Sequence, residues 1–153
     1  MPWKTDLVLM LRSLIGDLDN AKFTYERLKQ ILVFGAYNVI NDADFSQTYS
    51  VDVGEVTISP DPISQDDTDF TTLTVYKSAC ILLGSEVKTE AANAISIKDG
   101  PSAIDLRGVT QNLNIMYQDF CSKYDDLLKT YQYNNTLVGQ AVLGPYSPGS
   151  MVL

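Results

Sequence analysis

Residues 68–93 read TDFTTLTVYKSACILLGSEVKTEAAN, and residues 107–132 read RGVTQNLNIMYQDFCSKYDDLLKTYQ. In the first stretch Phe70, Leu73, Tyr76, Cys80, Leu83, Val87 and Ala91 recur at steps of three and four, with Ala79 and Leu82 beside them. In the second, Val109, Leu113, Met116, Phe120, Tyr124, Leu127 and Tyr131 do the same. A period near 3.6 marks one buried face of a helix, so these stretches predict two long helices. Asp66, Asp67 and Asp69 gather at the start of the first, where the helix dipole favours carboxylates.

Upstream, Leu7, Met10, Leu11, Leu14, Ile15 and Leu18 predict a helix over 5–19, with Thr5 as its N-cap. Thr24, followed by Glu26, predicts the start of a second helix, over 24–41, whose stripe is Leu28, Ile31, Leu32, Ala36, Val39 and Ile40. Gly35 lies inside that stripe at a cost of about 1 kcal/mol relative to Ala, which points to a close helix crossing. Over 49–58 the period changes to two: Tyr49, Val51 and Val53 alternate with polar residues. The phase then flips at Gly54 to Val56 and Ile58, so a bulge or turn is expected there. Between the long helices, Ile95/Ile97 and Ile104/Leu106 flank Asp99-Gly100-Pro101, the pattern of a small hairpin or an extended loop with a tight turn.

Together these signals predict a mainly α fold, a helical bundle of about four helices with a small β insert and an extended C-terminal arm. The bundle domain covers 1–133 and the arm 134–153. In the arm, Gly139, Gly144, Pro145, Pro148 and Gly149 break any helix. Leu137, Val138, Val142, Leu143 and Tyr146 nevertheless make it more apolar than a disordered tail. These five residues are the candidate partner-binding set, in an arm expected to order against another subunit.

The 153 residues carry a net charge of −8. That balance disfavours binding to nucleic acid or to an anionic membrane, which needs clustered Lys and Arg. No apolar run reaches the roughly 20 residues that span a bilayer, and no signal peptide is visible. Histidine is absent, which removes histidine acid–base chemistry, Ser-His-Asp nucleophiles and most catalytic zinc sites. There is no GxGxxG, P-loop or GxSxG motif. The carboxylate pairs Asp42/Asp44, Asp66/Asp67 and Asp125/Asp126 are read as capping or solvated groups. The expectation is therefore a protein that is not an enzyme, with no catalytic, cofactor-binding or metal-binding residues and no cofactor. Cys80 and Cys121 show no CxxC spacing and are expected to be two reduced core thiols.

The run Tyr76-Lys77-Ser78-Ala79-Cys80-Ile81-Leu82-Leu83, then Ala94-Ile95-Ser96-Ile97-Lys98-Asp99-Gly100 and on to Ile104-Asp105, resembles the head-to-tail connector (adaptor, or neck) proteins of long-tailed bacteriophages. In that family a helix leads into an I-S-V-x-D-G-x-x-S-I-D-like stretch, followed by a helix rich in Leu, Tyr and Lys. Ser96, Asp99, Gly100, Ile104 and Asp105 match it, and the likeness spans residues 5–131. It implies a structural subunit repeated about twelve times in a ring between portal protein and stopper or tail-terminator protein. DNA would pass through the lumen without specific binding, and no membrane would be involved. Location in the virion neck, after synthesis in the host cytoplasm, follows from the same likeness. Terminal extensions in this family grip neighbouring virion proteins, which suits the arm. The insert at 49–58 is longer than the family leads one to expect. Two other readings stand beside it: another neck or tail-completion protein (stopper or terminator), and an acidic DNA mimic that titrates a DNA-binding partner.

Overall fold

The structure, a computed structural model, describes residues 1–96 and 102–135, with side chains described for 1–93 and 111–135. Its elements run in the order α1 (Trp3–Ile15), α2 (Tyr25–Asp42), β1 (Ser50–Asp52), β2 (Thr57–Ser59), α3 (Thr68–Ser96) and α4 (Ser102–Asn135). The fold is mainly helical with a small two-stranded sheet, as the periodicity predicts. No described helix is long and apolar enough to cross a membrane.

Helix α3 is the centre of the molecule, packing against α4, α2 and α1. Phe70, Leu73, Val75, Ala79, Leu82 and Leu83 are buried along it, and so are Thr71, Thr74 and Ser78. Its N-terminus is capped by Asp67, whose Oδ1 accepts from the Phe70 N–H at 3.0 Å. Threonine and other β-branched residues lower the helix propensity of its first turns. Burial on several sides supplies what propensity does not.

Helix α2 begins as expected. The Thr24 hydroxyl accepts from the Arg27 N–H at 3.2 Å. Leu28, Ile31, Leu32, Ala36 and Val39 are buried, together with Val33. Gly35 is the crossing point with α3. A Cβ there would collide with Ser78 Oγ and come within 3.2 Å of the Ser78 nitrogen and the Thr74 carbonyl oxygen. Gly35→Ala is therefore expected to destabilise the chain by about 1–3 kcal/mol through overpacking, in spite of alanine's better helix propensity. Urea denaturation of the variant measures this, and an unchanged midpoint would refute the close crossing.

Helix α1 departs from expectation in three ways. Its N-cap is Pro2, not Thr5, and no side chain caps it from that position. Instead Asp61, in the loop after β2, accepts from the Trp3 N–H at 3.2 Å. The helix ends at Ile15 rather than near 19, because Gly16 adopts the left-handed conformation (φ 76°) and its N–H returns to the Arg12 carbonyl. The buried face is Trp3, Leu7, Val8 and Leu11, which leaves Met10 and Leu18 exposed. Trp3 and Val8 both bury, which turns the helix away from the stripe that the leucines and Met10 suggest.

The insert is a hairpin, so of the bulge or turn expected at Gly54 it is the turn that forms. β1 and β2 pair antiparallel, with Val51 opposite Ile58. The turn contains Gly54 and Val56, the latter at φ 53°. Asp52 Oδ1 accepts from the Glu55 N–H at 3.0 Å and holds it. Ile58 and Tyr49 carry the hairpin into the core.

The flanks of the hairpin or extended loop expected about Asp99-Gly100-Pro101 are helical. Ile95 lies in α3, and Ile104 and Leu106 lie in α4. Ile97, Asp99 and Gly100 lie outside the described residues. The Asp-Gly-Pro breaker separates two helices here, not two strands. Pro101 just before the helix and acidic Asp105 near its start are helix-start signals, and they outweigh two short alternations.

α3 and α4 form an antiparallel pair about that breaker, so residues equidistant from it face one another. Cys80 and Cys121 are such a pair and are joined in a disulfide, with Cα atoms 4.9 Å apart. The expectation of reduced core thiols is thus overturned. The cysteines meet because the helices are antiparallel and in this register, a relation between positions 41 residues apart that local spacing does not display.

Candidate functional site

The five arm residues singled out in the sequence, Leu137, Val138, Val142, Leu143 and Tyr146, lie outside the described residues, as does the whole of 136–153. What the structure describes is the surface around the point where that segment departs. α4 lies on α3 with two flanks. On the α2 flank, the Tyr124 hydroxyl donates to Asp42 Oδ2 at 2.6 Å. Lys77 stands 3.8 Å from the same carboxylate and 4.6 Å above the Tyr124 ring. Further along, the Tyr131 hydroxyl donates to the Asp44 carbonyl and the Gln132 amide to the Asp42 carbonyl, both at 2.8 Å. These bonds tie the last turns of α4 to the end of α2, and Asn135 lines a shallow polar pocket with Asn41 and Asp44.

An aromatic cluster closes the same end of the bundle. Phe45 stacks on Tyr131 at 5.0 Å and meets Phe70 edge-on at 5.2 Å. Tyr49 stacks on Phe70 at 3.9 Å, and its hydroxyl donates to Asp67 Oδ2 at 2.7 Å. Burial, then the Asp67 bond, pushes the Tyr49 hydroxyl well above the usual phenol range. Burial and Asp42 do the same to Tyr124. Both phenols are held protonated as hydrogen-bond donors, a structural role.

Of the three carboxylate pairs, Asp42 and Asp67 are thus engaged inside the fold, and Asp125 and Asp126 are exposed on α4. Among the described residues no group of three or more His, Cys, Asp or Glu converges in a way that could hold a metal ion.

One hollow on α4 is lined by the polar residues Asp119, Ser122, Lys123 and Asp126, and others carry apolar residues. On the α1 flank a groove of about 390 Å³ runs between α1 and α3, lined by Leu9, Met10, Leu14, Thr72, Val75 and Tyr76. Leu9 is 60% exposed and Met10 43%. A second hollow shares Met10 and Thr72 with it and continues past Pro62 and Ile63 to Asp66, Asp67 and Thr68. On the other side of α4, Phe34 and Tyr37 are 45% and 47% exposed on α2. Phe34 lines a groove with Ile81, Lys88 and Tyr117. One subunit therefore carries two apolar faces, one on each side of α4. Amphipathic counting missed the first, because it placed Met10 in the core. The second gave no sequence signal, since Phe34 and Tyr37 sit among residues that are buried.

The matching motif of the sequence is divided by the structure. Ser96 ends α3, Ile104 and Asp105 open α4, and Asp99 and Gly100 lie outside the described residues. No protein-family model, no curated protein and no solved structure matches this chain.

Proposed function

We propose that this chain is a non-enzymatic assembly subunit, the head-to-tail adaptor of a long-tailed bacteriophage, closed into a ring of about twelve copies below the portal protein. The observation that carries the proposal is the pair of apolar faces on the two sides of α4. A ring needs two different, complementary patches on one subunit, because its interfaces are head-to-tail. Exposed apolar side chains grouped along a groove are candidates for an interaction surface. The order of helices and the Ser96 to Asp105 motif supply the likeness to adaptors. The net charge of −8 suits a conduit that repels DNA phosphates instead of holding them. A stopper or tail-terminator ring would share the subunit chemistry but sit elsewhere in the neck. A DNA mimic would present its carboxylates in a phosphate-like row, whereas Asp17, Asp42, Asp61 and Asp67 are spent on bonds within the fold.

The test is co-expression with a portal protein, native mass spectrometry and electron microscopy of the product. A ring seated on the portal supports the adaptor, and a ring that binds only tail proteins makes it a tail-completion protein. Removing residues 136–153 is expected to leave the helical circular dichroism intact and to abolish ring closure, and with it attachment to the adjoining ring. Infectious particles assembled from the truncated chain would refute a role for the arm.

A further inference from the structure

We infer that the groove between α1 and α3 is the seat for residues 136–153 of a second copy of this chain. This names the contact that closes the proposed ring and rests on that reading. The first ground is charge. All eight excess negative charges lie at or before Lys129, and residues 130–153 carry no charged side chain. Two copies repel each other over their acidic surfaces. The uncharged segment is the part of one copy that meets another without that cost. Its Leu137, Val142, Leu143 and Tyr146 are chemically matched to a groove walled by Leu9, Met10, Leu14, Ile63 and Val75.

The second ground is position. α3 and α4 are antiparallel, so the C-terminal end of α4 lies at the same end of the bundle as the N-terminal end of α3. The groove opens at that end, beside Asp66, Asp67 and Thr68. In a ring, equivalent points of all copies share one height along the axis. With the bundle set along that axis, Asn135 of one copy and the mouth of the next copy's groove stand at about the same level. The eighteen residues of 136–153 reach up to roughly 60 Å when extended, ample to run the length of the groove.

The third ground selects the neighbour over the chain's own groove. Gln132 and Tyr131 fasten the end of α4 to Asp42 and Asp44, on the α2 flank. The groove lies on the α1 flank, where Tyr76 packs near Phe120 and Lys123. Donor and acceptor thus sit on opposite flanks of one subunit, which is the arrangement of a head-to-tail contact.

The experiment places the photo-cross-linker benzoylphenylalanine at Tyr146 of the full chain and co-assembles nitrogen-15-labelled with unlabelled protein. Mass spectrometry then reads both the site and the isotopic pairing of each cross-link. The expected result is links to Met10, Leu14, Val75 or Tyr76 that join labelled to unlabelled copies. Met10→Glu, at an exposed position, is expected to keep the wild-type circular dichroism and to lower the yield of those links about tenfold, equivalent to about 1.4 kcal/mol of contact. Links confined to single-isotope pairs would assign the groove to the chain's own segment and overturn the inference. Links to Phe34 or Tyr37 instead would also overturn it. A ring of the expected size without groove links overturns the seat alone and leaves the adaptor standing. A chain that assembles neither with itself nor with portal overturns both.

Discussion

Arg12→Ala is expected to cost about 3–5 kcal/mol, the range for breaking a buried ion pair by removing one partner. Globular domains hold only about 5–15 kcal/mol in all. The pair joins the last turn of α1 to the connection that leads to α2. Arg12 Nη1 donates to Asp17 Oδ2 at 2.6 Å, with side-chain exposures of 8% and 5%. Arg12 Nη2 donates to the Phe23 carbonyl at 2.9 Å. Asp17 also accepts from the backbone N–H groups of Lys22 and Phe23 at 3.0 and 3.1 Å. With Arg12 gone, a buried carboxylate keeps two backbone donors and loses its counter-charge.

Burial alone would raise the Asp17 carboxyl, but the bonds from Lys22 and Phe23 and the Arg12 charge outweigh it and hold it below the usual carboxylate range. The sign of the pH effect follows. A carboxyl depressed in the folded state stabilises the fold above its unfolded value of about 3.9 and loses that contribution as pH falls through the folded value. Urea midpoints of the wild type should therefore drop steeply below about pH 4. Asp17→Asn should be less stable at neutral pH and show a shallower acid limb. Parallel acid limbs in the two proteins would exclude Asp17 as the titrating group.

The second large effect concerns the tie between α3 and α4. Replacing Cys80 and Cys121 by serine, or reducing the disulfide, is expected to lower stability by about 4 kcal/mol on chain-entropy grounds for a closed loop of this length. The separation is 41 residues. Denaturation with and without a thiol reductant measures it. The wild type should lose stability on reduction, and the Cys80→Ser/Cys121→Ser variant should be indifferent to the reductant. An unchanged wild-type midpoint after complete reduction would show that helix packing alone holds the pair.

Much of the bundle was legible because each helix carries its own local signal. Thr24 caps α2, Gly35 marks its crossing, and α3 and α4 follow the expected helical period, except that Met116, placed in the buried stripe of α4, is exposed and the Val109 side chain lies outside those described. The failures share one cause, which is information that is not local. Asp17 falls within the helix predicted over 5–19 and carries no mark of burial, yet it is the buried anchor that Arg12 reaches for. Asp61 caps a helix that begins 58 residues before it. The cysteines had a signal available: each stands twenty residues outside the Gly100-Pro101 break. That symmetry becomes informative only once the break is seen to join two helices. The candidate site was half legible. The apolar arm shows in its composition, but the groove between α1 and α3 depends on how α1 is rotated, which Trp3 and Val8 decide.

Trp3 is the sole tryptophan of the chain, fully buried, with its backbone N–H fixed by Asp61. Indole emission therefore reports on the burial of the first turn of α1 in the core, next to the Asp61 cap. A red shift marks that helix peeling away, whether or not the rest of the bundle has come apart. Emission and ellipticity followed together give two separate clocks for the same molecule, one for its edge and one for its centre.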